Sequence, residues 1–188
     1  DEVLSHFSTG DVVVLQNEIN NVPYIIDRCY EKEMKIFFNA APYDESIQNY
    51  PIEKVTWLVV NETESAALSG EENYEKMLQV LKQKYPHTNI LFTMGKDGSR
   101  AYYRGRKVEA APFLQEKTIE TTGAGDTFCA SSLNYVLEHG LDNLTEENLK
   151  ELLTFANAAA SLITTRKGAL RVMSTKEEVL DFMKSRGC

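Results

Sequence analysis

An α/β fold, with a mostly parallel central sheet covered by helices on both faces in a three-layer α/β/α arrangement, is what the sequence predicts. Four short apolar runs read as buried strands, helical segments alternate with them, and the segments that follow residue 126 are helical in pattern. No internal repeat, low-complexity tract or linker interrupts the 188 residues, so one domain is expected.

DVVVLQ (11–16) is the first buried strand, followed by a helix-like stretch from Pro23 to about Glu33. KIFFNAAP (35–42) and VTWLVVN (55–61) are two further apolar runs that end in polar or turn residues. ENYEKMLQVLKQKY (72–85) spaces Met77, Leu78, Leu81 and Tyr85 as one face of a helix. NILFTMG (89–95) is the fourth strand, and the KDGS turn (96–99) then breaks the alternation. SRAYYRGRKVEAAP reads as two strands joined by an Arg-Gly-Arg turn, an antiparallel extension of the sheet. Three helices are expected over 126 to about 139, 145 to about 165 and 175 to about 186. The last has Ser174 and Thr175 followed at capping-box spacing by Glu177 and Glu178. DEVLSHFSTG (1–10) looks like a helix end feeding straight into a buried strand, so the expectation is the C-terminal part of something longer.

Composition is globular, 43% hydrophobic and 26% charged. No apolar run approaches the roughly 18 residues that span a bilayer, and no signal-peptide pattern opens the chain, so a cytoplasmic protein without a membrane partner is expected. Net charge is −8 with the basic residues scattered, which argues against nucleic acid as a partner. Cys29, Cys129 and Cys188 have no paired spacing and read as free thiols.

ETTGAGDTF (120–128) precedes an apolar helical run. Gly123, Ala124 and Gly125 carry almost no side chain, so their N–H groups can face a ligand where a helix start supplies unpaired donors and positive dipole charge. Asp126 follows as an acid placed beside those donors. The same stretch also reads as an ordinary helix start capped by Asp126 or Thr127.

Together with LQNEI (15–19), NETE (61–64), TMGKDGS (93–99) and NAAASLITTRKGA (157–169), TTGAGDTF resembles, in order and spacing, the ribokinase-like (PfkB-type) carbohydrate kinases. The resemblance covers nearly all of the chain and corresponds to the family's C-terminal two-thirds, so residues 1–188 are expected to be the nucleotide-binding and catalytic portion of a kinase domain. It implies transfer of the ATP γ-phosphoryl group to a sugar hydroxyl, ribose first, with fructose, adenosine and other acceptors on the same frame. Such chemistry needs a base, donors for the phosphate oxygens and a bridging metal.

By that resemblance Asp126 is the base, also touching the acceptor, and Gly123, Ala124 and Gly125 form the anion hole. Asn61, Thr93, Gly95, Gly98 and Asn157 are implied nucleotide contacts. Glu18 is implied to face the sugar, at the end of a strand where ligands collect in open α/β sheets. Glu64 is implied to order Mg²⁺ through water, and Glu120 with Thr122 to border a monovalent-cation site that takes K⁺. Read without the family, Asn61 caps a helix whose first turn holds Glu64, the 93–99 segment is a hairpin turn, Glu18 is a solvated loop acid, and the small residues after Asn157 serve close helix packing.

Two features depart from the pattern. Relatives often have Asp where Glu120 stands. The family's N-terminal third, with a glycine-rich sugar-binding motif and a small β-sheet lid that would make a homodimer in the full-length parent, has no counterpart in these residues. A nucleotide-binding fragment that phosphorylates nothing is therefore the rival reading.

Overall fold

The computed structural model of the chain describes residues 2–168 and 172–188. Two compact units emerge, Asp1–Phe92 with Tyr102–Gly105, and Thr93–Ala101 with Arg106–Cys188. Among the described residues six strands form one sheet in chain order, β1 to β6.

In the first unit β1 (Val12–Gln16), β2 (Lys35–Asn39), β3 (Trp57–Val60) and β4 (Asn89–Thr93) pair in parallel, with Val14 opposite Phe37, Phe38 opposite Leu58 and Val59 opposite Leu91. All four residues of β3 are buried, as an apolar run without alternation demands when both faces are covered. β1 ends the strand order, and there Val14 stays 50% exposed: the apolar run reads as fully buried but forms an edge.

Helix α1 (Val22–Glu31) starts with Pro23 in its first turn and buries Val22, Ile26 and Cys29, one stripe at helical spacing. Helix α2 (Glu62–Ser69) is nucleated by a capping box between Asn61 and Glu64. Helix α3 (Tyr74–Lys84) is capped by Asn73, whose side chain accepts from the N–H groups of Glu75 and Lys76, and it buries Met77, Leu78 and Leu81. Tyr85, expected on that face, is the buried residue that follows the helix.

Strands β5 (Ser99–Tyr103) and β6 (Arg106–Ala110) neighbour each other in the sheet across the two-residue Arg104–Gly105 connection, which only antiparallel pairing permits. In the second unit helix α4 (Ala124–His139) packs on α5 (Glu146–Ile163), which also meets β6 and α6 (Lys176–Ser185). Helix α4 begins two residues before the expected position, because Gly123 takes the N-cap. Helix α6 is capped by Thr175 and Glu178, which settles which of the two overlapping capping boxes forms. Ala158 and Ala159 pack with Val179, joined by Phe113, Phe155 and Phe182. The first residues form a short 3-10 turn, Val3–His6. Among the described residues no helix is long and apolar enough to cross a membrane, and Cys29, Cys129 and Cys188 are free.

Candidate functional site

The first unit presents polar groups where its strands end. Glu18 follows β1 and is exposed. Its neighbour Asn17 donates from Nδ2 to Asp44 Oδ2 at 2.6 Å and to the Pro42 carbonyl at 3.0 Å, and accepts from the Tyr50 hydroxyl at 2.8 Å. The residues that fix the chain beside Glu18 are thus Asn17, Asp44 and Tyr50, and sequence reading did not find them. Hydrogen bonds from Ser46, then from Asn17, hold the Asp44 carboxyl below its usual range.

At the end of β3, Asn61 donates its backbone N–H to Glu64 Oε2 at 2.8 Å and its Nδ2 to Oε1 at 2.9 Å, while Asn61 Oδ1 accepts the Glu64 N–H at 2.9 Å. Glu64 is only 4% exposed, and burial pushes its carboxyl up from the usual 4.5 against the lowering effect of the Asn61 N–H. Both Glu64 oxygens already accept hydrogen bonds from Asn61, an arrangement that fits contact with an ion through its water shell.

A carboxyl whose folded pKa is raised stabilises the fold below its unfolded value and loses that contribution as pH rises through the folded one. We therefore expect the stability of the full-length protein without divalent ions, relative to Glu64→Gln, to fall as pH rises from about 4.5 toward neutrality. Urea melts of both proteins at several pH values measure it. A difference that stays flat with pH contradicts the burial argument.

In the second unit Thr93 closes β4 half-buried, and exposed Gly95 opens a 3-10 turn, Gly95–Asp97. The Met94 N–H donates to the Gly98 carbonyl at 2.8 Å. Gly98 has φ +93, and a Cβ there would lie 2.2 Å from the Ala110 carbonyl oxygen and 3.1 Å from Pro112 N. Both obstacles are backbone, so only glycine fits. Gly98→Ala should cost about 3 kcal/mol or more, the sum of an unfavourable backbone conformation and an overpacked contact. A denaturant midpoint within error of wild type would contradict this.

Buried Asn157 donates from Nδ2 to the carbonyls of Ala110 at 3.3 Å and Ala111 at 3.0 Å. Gly98 and Asn157, far apart in sequence, therefore meet the same segment after β6, and the Asn157 amide acts there as a brace.

The TTGAGD stretch builds the start of α4. Gly123 is its N-cap with φ 80, a left-handed conformation that suits glycine. The Thr127 N–H donates to the Gly123 carbonyl at 2.9 Å and the Ala124 N–H to the Thr121 carbonyl at 3.2 Å, so Ala124 is the anion-hole candidate whose donor already has an acceptor. Gly125 lies in the first turn, where a helix supplies no acceptor for its N–H, and nothing lies within 4 Å of where its Cβ would be. Asp126 is exposed in the same turn, ahead of the buried Thr127, Phe128 and Cys129. Burial, with the Asp126 charge beside it, pushes the Cys129 thiol to about 12, which makes it inert as a nucleophile.

Glu120 accepts the Gly168 N–H at 3.0 Å and a hydrogen bond from Thr122, and these hold its carboxyl low, the Gly168 bond first. Glu120 is thus anionic at neutral pH and, with the Thr122 hydroxyl, supplies oxygen chemistry suited to a hard monovalent cation. Ala169, the end of the fifth motif, lies outside the described residues. A cavity of about 410 Å³ lies along α4, α5 and α6, lined by Tyr135, His139, Phe155, Leu180 and Met183. It holds none of the candidate site residues.

The profile of the "pfkB family carbohydrate kinase" matches residues 18–176. The chain is 33% identical over 182 residues to a ribokinase of Bacillus subtilis, covering 96% of the chain and 57% of that protein. It is 30% identical over 133 residues to a probable fructokinase-2 of Arabidopsis thaliana, covering 70% of the chain and 40% of that protein. The structure of Arabidopsis thaliana ribokinase complexed with ribose and ATP superposes with a TM-score of 0.73 at 26% identity, over 92% of the chain and 55% of that protein. The chain thus spans about half the length of these relatives.

Proposed function

Since the chain belongs to the pfkB family of carbohydrate kinases, we propose that residues 1–188 are the C-terminal, nucleotide-binding and catalytic part of an ATP-dependent sugar kinase, with ribose as the acceptor. The observation that carries this reading is the exposed Asp126 in the first turn of α4, next to Gly125, whose backbone is open to close approach.

Asp126 takes the proton of the acceptor hydroxyl as that oxygen attacks the γ-phosphorus, so the nucleophile is activated where it reacts. The Gly125 N–H, with the backbone of Gly123 and the positive end of the α4 dipole, receives the negative charge on the transferred group. Mg²⁺ would neutralise the nucleotide phosphates, with Asn61 and Glu64 ordering its water shell. Thr93 and Gly95 serve the nucleotide, Gly98 serves it by letting the Ala110–Pro112 backbone pass close by, and Asn157 by bracing the Ala110 and Ala111 carbonyls. Glu18 faces the sugar. Glu120 and Thr122 are the side chains that would border a bound K⁺. A cytoplasmic setting suits an enzyme that draws on ATP, and a homodimer would form through parts of the full-length protein beyond these residues.

Ribose is placed first on the NETE (61–64) and TRKGA (165–169) segments together with Glu18, as the resemblance implies, while fructose and adenosine would use the same frame. The rival is a nucleotide-binding protein without transfer. Calorimetric titration of the full-length protein with ADP and Mg²⁺, followed by phosphorylation assays across ribose, fructose and adenosine, separates the readings. Nucleotide heat with ribose turned over supports the proposal. Heat without turnover of any acceptor supports the rival, and no heat at millimolar ADP sinks both.

A further inference from the structure

Glu120 stands three residues before the N-cap of α4 and reaches across to the turn that follows α5. Its Oε2 accepts the Gly168 N–H at 3.0 Å, and its own N–H and that of Ile119 both donate to the Thr164 carbonyl, at 3.2 Å and 2.8 Å. Thr122 adds a hydrogen bond to the same carboxylate. The receiving turn is itself held, since Arg166 donates from Nη1 to the Val172 carbonyl and from Nη2 to Glu178 Oε1, both at 3.1 Å. Glu178 in turn caps α6. The Glu120 carboxylate, with the two backbone bonds to Thr164, thus couples the chain entering Gly123–Asp126 to a turn anchored on another helix.

We infer that Glu120 is a positioning residue: it latches the 119–123 segment to the 164–168 turn and so fixes where the first turn of α4 presents Gly125 and Asp126. The consequence for turnover rests on the kinase reading above, but the latch itself does not. What the latch requires is reach and an acceptor oxygen, because its partner is a neutral backbone N–H. A role in holding a cation requires charge instead. Two substitutions pull these apart. Glu120→Gln keeps the length and an amide oxygen that accepts the Gly168 N–H while losing the charge. Glu120→Asp keeps the charge and withdraws the carboxylate by one methylene, beyond direct contact.

Both variants of the full-length protein are compared with wild type by hydrogen exchange over the amides of residues 121–127 and by steady-state kinetics. The latch predicts faster exchange in Glu120→Asp and near-native protection in Glu120→Gln. It also predicts a kcat lower in Glu120→Asp by on the order of tenfold or more with little change in acceptor KM, since a misplacement of about 1 Å can cost about 10²-fold. Equal behaviour of the two variants, or the reverse order, overturns the inference. Should the kinase reading itself fail, wild type turns over no acceptor while the exchange contrast persists. Should the latch fail, the contrast vanishes while wild-type turnover remains.

Discussion

Asp126→Asn in the full-length protein should leave the fold and most nucleotide affinity in place and lower sugar phosphorylation by about 10²–10⁴-fold, the range of a general base. The amide is nearly the size of the carboxylate but has no lone pair basic enough to take the hydroxyl proton. The side chain is exposed in the first turn of α4, so the substitution removes no core packing. Stability should fall by at most about 1 kcal/mol, the usual value of an acid beside the positive end of a helix dipole. The N-cap is Gly123, with no side-chain cap hydrogen bond, so a capping role does not compete for Asp126. Turnover within about threefold of wild type, well below the general-base range, rejects Asp126 as the base. A loss confined to nucleotide KM would assign it to phosphate binding instead.

Where a feature depends on residues near in sequence, the sequence displays it. The stripe of Val22, Ile26 and Cys29 in α1, the continuous burial of β3 and the Thr175–Glu178 capping box each follow from spacings within a few residues. Helix α2 is different: its buried positions are Glu64, Ser65 and Leu68, a stripe mostly without apolar residues, so no periodic signal marks it beyond the Asn61–Glu64 spacing. What could not be read is what the tertiary fold brings together. Gly98 is required by the Ala110 carbonyl, Asn157 braces Ala110 and Ala111, and Asn17 is held by Asp44 and Tyr50. The partners of Asn157 and Asn17 are at no spacing that secondary structure would suggest. The expectation that Asn157 meets the nucleotide came from a motif, and the structure gives its Nδ2 a backbone partner in the fold itself. The candidate base and its loop were legible because the chemistry sits in one contiguous stretch, Gly123–Asp126.

Gly125→Ala separates stability from activity at that stretch, with opposite signs. Gly125 lies in the first turn of α4, it is not among the glycines with positive φ, and an added Cβ meets nothing within 4 Å. Alanine should therefore fit and stabilise the helix, by up to about 1 kcal/mol, because glycine loses more backbone freedom on folding. On the proposed kinase mechanism, that methyl would crowd the approach of phosphate oxygens to the Gly125 N–H. Blocking one such donor typically costs about 10²–10³ in turnover. The expected variant is a protein that melts no earlier than wild type and turns over ribose about 10²-fold more slowly, read by thermal denaturation and by the kinase assay. A merely structural glycine would give the reverse: substitution would destabilise the protein, and activity would fall only as far as the folded fraction does. If Gly125→Ala is both stable and fully active, phosphate does not approach along that side of the helix start. The anion site would then have to be built from Gly123 alone, since the Ala124 N–H already donates to the Thr121 carbonyl.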